Sequence, residues 1–357
     1  MDLKDNEKRI NVEYYSDKNK NNYSTFLLNN FESNIFHTIQ WKEIIESHYN
    51  FKSYYFISRD NNRNIRGILP SFYLKNMYGK RLDSIPLSIY GGALGEDKFV
   101  EPLVKKIFEL NQELQCNYII IKQYPIRFSH LFKKAGMKKI VNRYTQVVKL
   151  KKPDVLWREI SKSNRNSIKK AIKYDVRIER IVDEEDLSRF HELELITHKR
   201  LGIGTPSLNF FKTIWKKLHL TGNVEVFVAK YKNNIIASSL IFPYNKKVIY
   251  GYANSENKHL NLRPNNLLLW KIIEWSYKKG YSLLDLGSTS YEWKGVFFFK
   301  SSFNTLNIPY AHYYFPINTT LIEDTALGKI EKIIIKKLPI FMTRKISSYL
   351  EKKFVKS

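Results

Sequence analysis

One carboxylate in this sequence lies where it could act on an amine. Asp285 follows the apolar pair Leu283-Leu284 and precedes Leu286-Gly287-Ser288-Thr289-Ser290, a pattern that predicts a short strand over residues 283–286. A carboxylate at the end of a strand can orient an incoming amine or remove its proton. The same side chain can instead cap the turn that follows, and the sequence leaves both roles open.

A row of basic residues could follow a chain of phosphates. Lys162, Arg165, Lys169 and Lys173 succeed one another at spacings of three and four, which places them on one face of a predicted helix. Such a row, with Arg165 in it, fits the backbone of an RNA. A helix face that is merely solvated is the alternative.

The chain as a whole carries the same sign of charge. Its 357 residues include 60 Lys and Arg against 34 Asp and Glu, which gives a formal net charge of +26. Such a field attracts polyanions: RNA, nucleotide-linked sugars, pyrophosphates or an acidic membrane leaflet. The charge can also reflect the amino-acid bias of an AT-rich genome.

Several classes of protein and site are excluded. The single cysteine, Cys116, excludes an internal disulfide and a cysteine-based metal site. The sequence shows no Ser-His-Asp order, no metal-ligand spacing and no P-loop. It has no signal-peptide core and no apolar run near the ~20 residues of a spanning helix. We therefore expect a cytoplasmic protein, soluble or peripheral to the inner face of the membrane.

Two similar stretches of the chain must position these residues. Residues 56–70 and residues 227–240 each predict a β-hairpin with an Asn-rich turn. A strand, a helix and a second strand are expected after each hairpin, in that order. The predicted elements are Ile89-Tyr90-Gly91-Gly92-Ala93, 100–115 and 118–122 in the first stretch, and Ile249-Tyr250-Gly251-Tyr252-Ala253, 264–279 and 283–286 in the second.

This repeat predicts an α/β fold with mixed sheets and flanking helices, built twice in tandem. We expect an N-terminal domain over 1–150, a C-terminal domain over 151–319 and a basic helical tail over 320–357. From residue 327 onward the tail holds nine basic residues against two acidic ones. Such a segment can lie in an anionic membrane interface, and docking on its own domain is the alternative.

Four segments in this order resemble the FemAB family of peptidoglycan-bridge or BioF2-like acyltransferases. They are Phe36-His37-Thr38-Ile39-Gln40-Trp41, then Trp157 to Ala171, then Arg263 to Gly287, and Phe299-Lys300-Ser301-Ser302-Phe303. The resemblance covers roughly residues 30 to 315. It implies two GNAT-like domains and the transfer of an acyl or aminoacyl group onto an amine.

The resemblance also implies roles for individual residues. Phe299-Lys300 matches the family's Phe-Lys pair, so Lys300 is expected near the reacting carbonyl and Phe299 against a base of the donor. Arg200 resembles the basic residue that grips a nucleotide-linked acceptor, and Lys42 resembles a lysine near its phosphates. The alternative for the pair is a surface position for Lys300 beside a core position for Phe299. The alternative for Lys42 is a surface position at the start of a helix.

Tyr252 is a further candidate for the acceptor cleft. Tyr250 and Tyr252 lie in one predicted strand, and we expect them to face opposite sides of the sheet because residues alternate along a strand. Near Arg200, the pattern Lys199-x-x-Gly202-x-Gly204 is similar to the sequence of the acetyl-CoA loop in GNAT enzymes. That loop should join a strand to a helix, whereas this one follows a predicted helix, His191 to Lys199.

Three functions remain open on the sequence. We prefer an aminoacyl- or acyltransferase that needs no cofactor, takes its donor group from aminoacyl-tRNA and acts on a nucleotide- or lipid-linked envelope precursor. An acyl-CoA-dependent enzyme of polysaccharide biosynthesis is the nearest alternative, since no coiled-coil arm of the tRNA-dependent enzymes is visible. A non-catalytic RNA- or membrane-binding protein on the same scaffold is the third.

Overall fold

The computed structural model describes residues 10–76, 79–316 and 326–351. The chain forms two compact units, and each combines segments that are distant in sequence. The first comprises Met1–Glu46, Asn50–Val141 and Tyr310–Thr319, and the second Ser47–Tyr49, Asn142–Pro309 and Thr320–Ser357. The sequence predicts a division between residues 150 and 151, and in the structure it lies between residues 141 and 142. The described residues 310–316 belong to the first unit, although the sequence predicts them in the second domain.

The first half of the chain alternates strands with four helices over its described residues. The strands are β1 (Asn11–Tyr14), β2 (Lys52–Ser53), β3 (Phe56–Arg59), β4 (Ile65–Leu69), β5 (Phe72–Asn76), β6 (Gly79–Asp83), β7 (Leu94–Gly95), β8 (Tyr118–Gln123) and β9 (Lys138–Lys149). The helices are α1 (Lys20–Asn29), α2 (Ile39–Tyr49), α3 (Asp97–Glu113) and α4 (Ser129–Lys134).

The second half of the chain is richer in helices. Its strands are β10 (Arg177–Arg180), β11 (Glu225–Tyr231), β12 (Asn234–Tyr244), β13 (Lys247–Ser255), β14 (Leu283–Ser290) and β15 (Leu306–Phe315). Its helices are α5 (Pro153–Glu159), α6 (Lys162–Lys173), α7 (Leu187–Leu201), α8 (Leu208–Leu218), α9 (Pro264–Lys278), α10 (Lys294–Ser301), α11 (Ala326–Lys337) and α12 (Ile340–Glu351).

Each unit is built on mixed sheet. In the first unit β1-β3-β4-β7 form one sheet, and β8, β6, β5 and β2 extend from residues 311–315 of β15 in another. In the second unit the strand order is β10-β11-β12-β13-β14 followed by residues 143–149 of β9. Among the described strands, each unit has one parallel pair beside its antiparallel ones, β6 with β8 in the first and β13 with β14 in the second. The predicted α/β class with mixed sheets is confirmed.

Most elements of the predicted repeat are present. Both hairpins form, β3 with β4 and β11 with β12. The predicted helices correspond to α3 and α9, and the strands after them to β8 and β14. In each unit the helix crosses over between the two strands of the parallel pair, as parallel neighbours require. The periodicity of the apolar residues was therefore a reliable guide to these elements.

The prediction of a strand at residues 89–93 is wrong. The strand equivalent to β13 in the first unit is β6, because β6 is the one that pairs in parallel with β8. Residues 89–93 instead form a loop bound to the side chain of Gln123, whose Oε1 accepts from Ala93 N–H at 2.9 Å and whose Nε2 donates to Ala93 O at 3.1 Å. A Cβ on Gly92 would overlap Gln123 Oε1, so this glycine permits a close approach of loop and strand.

The parallel pair of the second unit is short, and this shapes the site described below. β13 and β14 are paired only from Lys247 opposite Leu283 to Ile249 opposite Asp285. Both strands continue, β13 to Ser255 and β14 to Ser290. Beyond Asp285 the two strands therefore part, and β14 keeps its pairing with β9 alone.

The core of the second unit lies between its sheet and helices α5, α6 and α9. It is formed by buried aliphatic and aromatic side chains, among them Ile168, Ile241, Leu268 and Ile272. Helices α7 and α8 also pack on the sheet. For example, the ring of Phe211 in α8 contacts that of Tyr252 in β13. Among the described residues, no helix is long and apolar enough to cross a membrane.

Replacing Gly92 by Ala should destabilise the protein by about 1–3 kcal/mol, because the added methyl group must displace Gln123 or the backbone. The matched control is Gly204→Ala, since a Cβ at Gly204 meets no atom within 4 Å. Urea unfolding measures both free energies. Equal stability of the two variants would contradict the close approach inferred at Gly92.

Candidate active site

A bulge in β14 creates the binding place for Lys300. The pairing of β14 with β9 shifts register between Asp285 and Ser288, and Gly287 within the bulge has a φ of 73°. This left-handed conformation favours glycine. Consecutive carbonyls of a regular strand point in opposite directions, but here Gly287 O and Ser288 O both accept hydrogen bonds from Lys300 Nζ, at 3.0 and 3.2 Å.

Lys300 reaches these carbonyls from the last turn of α10. Its ammonium group also donates to Thr289 Oγ1 at 2.9 Å, so all three N–H groups have an acceptor. The side chain is only 8% exposed. Burial lowers the pKa of Lys300 from 10.5 to about 8, against the opposing attraction of Asp285. Three hydrogen bonds therefore fix the ammonium group of Lys300 close to where the pairing of β13 with β14 ends.

Asp285 lies on the last residue pair before the two strands part. Its Oδ1 accepts from Gly287 N–H at 2.8 Å and from the Thr145 hydroxyl. The first of these bonds is the turn cap that the sequence analysis kept as an alternative. Burial raises the pKa of Asp285 from 3.8 to about 7, although the Gly287 bond and the charge of Lys300 act in the opposite direction.

The pKa values of the two groups thus approach one another from opposite sides. Near neutral pH an acid with a pKa of about 7 and an amine with a pKa of about 8 can each gain or lose a proton. Strongly shifted groups with specific partners are typical of reactive sites, and structural ion pairs shift them as well. This pair can remove a proton from an incoming amine and place positive charge near a developing oxyanion.

A buried polar network that the sequence analysis missed supports the pair. Gln146 Nε2 donates to Ser301 Oγ at 2.9 Å and to Thr305 Oγ1 at 3.2 Å, and its Oε1 accepts from Thr289 Oγ1 at 3.3 Å. Thr145 and Gln146 are both fully buried in β9. The clue in the sequence was this polar pair directly before the apolar pair Val147-Val148.

The structure gives Phe299 a packing role. It is partly buried against the core of the second unit, and its ring lies 5.6 Å from that of Phe303. The preceding residue, Phe298, is 67% exposed. A base stacking on α10 would therefore meet Phe298, and core packing, the alternative noted for Phe299, is what the structure shows.

Arg165 is engaged at the end of α5. Its Nη1 donates to three carbonyl oxygens, those of Trp157 at 3.3 Å, Arg158 at 3.1 Å and Ile160 at 2.5 Å. These are carbonyls of the last helical turn and the residue after it, which lack partners within the helix. The predicted helix over the basic row is confirmed as α6, but Arg165 stabilises the α5–α6 corner instead of projecting with the exposed lysines.

Arg200 lies in the last turn of α7. Its Nη1 donates to Asn257 Oδ1 at 2.6 Å, and the residue is exposed. The segment after it, residues 202–207, joins α7 to α8. The segment therefore follows a helix, as the sequence predicts, and does not join a strand to a helix.

Tyr250 and Tyr252 do face opposite sides of the sheet, but the reason given in the sequence analysis is wrong. Two residues that are two positions apart in a regular strand share a face. The register of β13 against β12 shifts between Tyr250 and Tyr252, so Gly251 is an extra residue that reverses one side chain. Tyr250 consequently joins the core, and Tyr252 packs at 5.0 Å against Phe211 of α8.

Lys42 belongs to the first unit. It lies in the first turn of α2, where its Nζ forms an ion pair with Glu46 Oε2 at 2.8 Å and lies 5.9 Å from the centre of the Tyr15 ring. The structure therefore brings Asp285 and Lys300 together at Gly287, which each of them binds. Arg165, Arg200, Tyr252 and Lys42 have other partners.

Comparison with known proteins agrees with this architecture. Residues 158–295 match the family described as Acetyltransferase (GNAT) domain. The lipid II:glycine glycyltransferase of Staphylococcus aureus is 34% identical over 113 residues, which cover 30% of this chain and 27% of that protein. The chain therefore contains a GNAT acyltransferase domain, and over part of its length it is similar to a Fem-type enzyme, as the predicted resemblance implies. The match spans only about a quarter of the relative's length.

Solved structures show the same fold over most of this chain. The crystal structure of FemX matches with a TM-score of 0.69 at 15% identity, and the match covers 91% of this chain and 100% of that one. A tandem GNAT protein from the clavulanic acid biosynthesis pathway matches with a TM-score of 0.57 at 9% identity, over 86% and 98%. At these identities the likeness concerns the fold alone, and it confirms the tandem GNAT class.

The raised pKa of Asp285 predicts a fall in stability with rising pH. Between pH 4 and 7 the folded protein retains a proton that the unfolded chain has released, so the free energy of unfolding decreases, by at most about 1.4 kcal/mol per pH unit. Asp285→Asn cannot titrate and should lack this decrease. Urea unfolding at several pH values measures the difference, and parallel curves for the two proteins would contradict a buried, proton-retaining Asp285.

Proposed function

We propose that this protein transfers an aminoacyl or acyl group onto an amine of a cell-envelope precursor, with Asp285 and Lys300 at the reacting atoms. The observation that carries the proposal is the buried pair itself. A carboxyl with a pKa of about 7 lies on the last residue pair of β13 and β14, and an ammonium group is fixed to the bulge beyond it. The GNAT domain over residues 158–295 contains all of these elements except α10 beyond Gly295.

The reaction follows from these groups. The amine nitrogen of the acceptor attacks the carbonyl carbon of the donor, and Asp285 takes the proton that the nitrogen loses. Lys300 stabilises the oxyanion through its positive charge, which acts strongly in a buried site. Of the three hydrogen bonds that Lys300 donates, the one to Ser288 O is the longest, at 3.2 Å. The oxyanion can therefore replace Ser288 O as an acceptor for Lys300. Collapse of the intermediate expels the leaving oxygen or sulfur, which receives the proton.

An aminoacyl ester, such as that of a charged tRNA, is the donor we favour. The connection from β13 to α9, residues 256–263, joins a strand to a helix within the GNAT domain, and it contains no glycine. A glycine-rich loop is what lets backbone N–H groups cradle a pyrophosphate such as that of acyl-CoA. The net charge of +26 also suits an RNA. A pre-activated ester needs no cofactor.

A lipid-linked envelope precursor is the acceptor we favour. The support is the 34% identity to a protein named lipid II:glycine glycyltransferase. An acceptor linked to a nucleotide has the same pyrophosphate chemistry, and Arg200 is an exposed guanidinium at the end of α7 that could bind it bidentately. We place the reaction at the cytoplasmic face of the membrane, where both substrates would meet.

Product analysis tests the donor and the acceptor together. The purified protein is incubated with a lipid-linked or a nucleotide-linked precursor and with either total charged tRNA or acetyl-CoA. We expect the mass of the precursor to increase by one aminoacyl residue. Deacylating the tRNA before the reaction should abolish this increase. A mass increase that depends on acetyl-CoA instead would establish the alternative donor. No product with any donor, together with retained RNA binding, would favour the non-catalytic function.

Replacing Lys300 by Ala should lower the transfer rate by about 100-fold, because one charged group that stabilises an oxyanion is lost. Lys294→Ala is the matched control, since Lys294 begins the same helix and is exposed. We expect little change in that variant. Equal rates of transfer in the two variants would remove Lys300 from the reaction.

A further inference from the structure

The two C-terminal helices dock on the second unit through one face each. Both α11 and α12 contact α7. Ile335 of α11 is 5% exposed and Thr343 of α12 is 1% exposed, so these residues mark the docked faces. Arg344 lies 3.7 Å from Glu192 Oε1 of α7, and Lys199 Nζ of α7 donates to Lys336 O at 3.3 Å. The tail therefore does pack on its own domain.

The opposite face of each helix combines an apolar residue with a lysine. A residue two positions from a buried one is turned by about 200° around the helix axis. In α11 these positions hold Ile333 and Lys337, on either side of Ile335. In α12 they hold Phe341 and Lys345, on either side of Thr343. Ile333 is 54% exposed and Phe341 is 64% exposed.

Neighbouring residues extend this face. Ile334 and Met342 are further exposed apolar side chains next to Ile333 and Phe341. Lys332 and Lys336 are exposed as well, but they lie against Gly202 at the end of α7 and belong to the docked side. No acidic residue occurs between positions 332 and 345. Neither Lys337 nor Lys345 has a salt bridge to another described residue. The exposed residues of the opposite face are called the tail surface below: Ile333, Ile334, Lys337, Phe341, Met342 and Lys345.

We propose that the tail surface docks the protein on an anionic lipid bilayer. The apolar side chains enter the boundary between headgroups and acyl chains, and the lysines bind lipid phosphates, as in interfacial amphipathic helices. An RNA would use the lysines but would leave Ile333 and Phe341 in water. An apolar protein partner would bury those two residues but would leave Lys337 and Lys345 without acceptors. An anionic bilayer satisfies both parts of the surface.

Because α11 and α12 are bound to α7, docking would hold the second unit at the membrane in one orientation. The docked faces and the tail surface are separate, so membrane binding need not unfold the tail. This surface is independent of the transfer reaction, since none of its residues contacts Asp285 or Lys300 in the described part of the chain. A lipid-linked acceptor would nevertheless be delivered to a protein that already lies on the bilayer.

Vesicle flotation with the full-length protein tests the proposal. The probes are vesicles of phosphatidylcholine alone and of phosphatidylcholine with phosphatidylglycerol, both without any acceptor. We expect binding to the anionic vesicles that weakens with salt, and at least about a tenfold loss of affinity for Ile333→Ser with Phe341→Ser. Lys337→Glu with Lys345→Glu should cause a similar loss. Circular dichroism of each variant confirms that these exposed substitutions leave the fold intact.

Two control variants distinguish binding through the tail surface from binding through any exposed apolar residue or any exposed lysine. Leu220→Ser removes an apolar side chain that is 94% exposed elsewhere in the second unit. Lys169→Glu with Lys173→Glu reverses two exposed lysines of α6. Both should bind anionic vesicles like the unaltered protein. No vesicle binding, or equal losses in the controls and the tail variants, would overturn the proposal. Tail variants that lose RNA binding but keep vesicle binding would also overturn it. Because no acceptor is present, none of these results bears on the transfer reaction.

Discussion

Two consecutive carbonyl oxygens of β14 bind the same ammonium group, and the candidate site depends on this contact. It requires the bulge between Asp285 and Ser288 and the left-handed conformation of Gly287. The bulge in turn lies where β13 has stopped pairing with β14, so no neighbouring strand on that side competes for the carbonyls. The short parallel ladder, the glycine and the buried lysine are therefore parts of one arrangement.

Burying opposite charges in this arrangement has a consequence for their protonation. Each charge is costly to desolvate, and attraction between the two offsets only part of that cost. The pKa of Asp285 therefore rises and that of Lys300 falls. The hydroxyl of Thr145 and the network around Gln146 hold the pair in place. Asp285 is therefore a proton acceptor and Lys300 a positive charge, and the pKa values of both lie near neutral pH.

Local patterns predicted much of the fold and part of the site. Hairpins with Asn-rich turns, two amphipathic helices and the Asp285-Leu286-Gly287 turn depend on neighbours in sequence, and they are present. Local patterns could not predict contacts between segments that are distant in sequence. Gln123 holds residues 89–93 out of a strand, Arg165 binds the end of α5, and the bulge at Gly251 reverses Tyr252. Phe298 and Phe299 differ in exposure only because α10 presents one of them to the core.

Coupling between the two buried groups tests the account most directly. A double-mutant cycle of the transfer rate compares Asp285→Asn, Lys300→Met and the double variant with the unaltered protein. If the two groups act as one unit, the double variant should be little slower than the slower single variant. Losses that simply multiply would contradict a joint role, and transfer rates unchanged in either single variant would place the reacting atoms elsewhere.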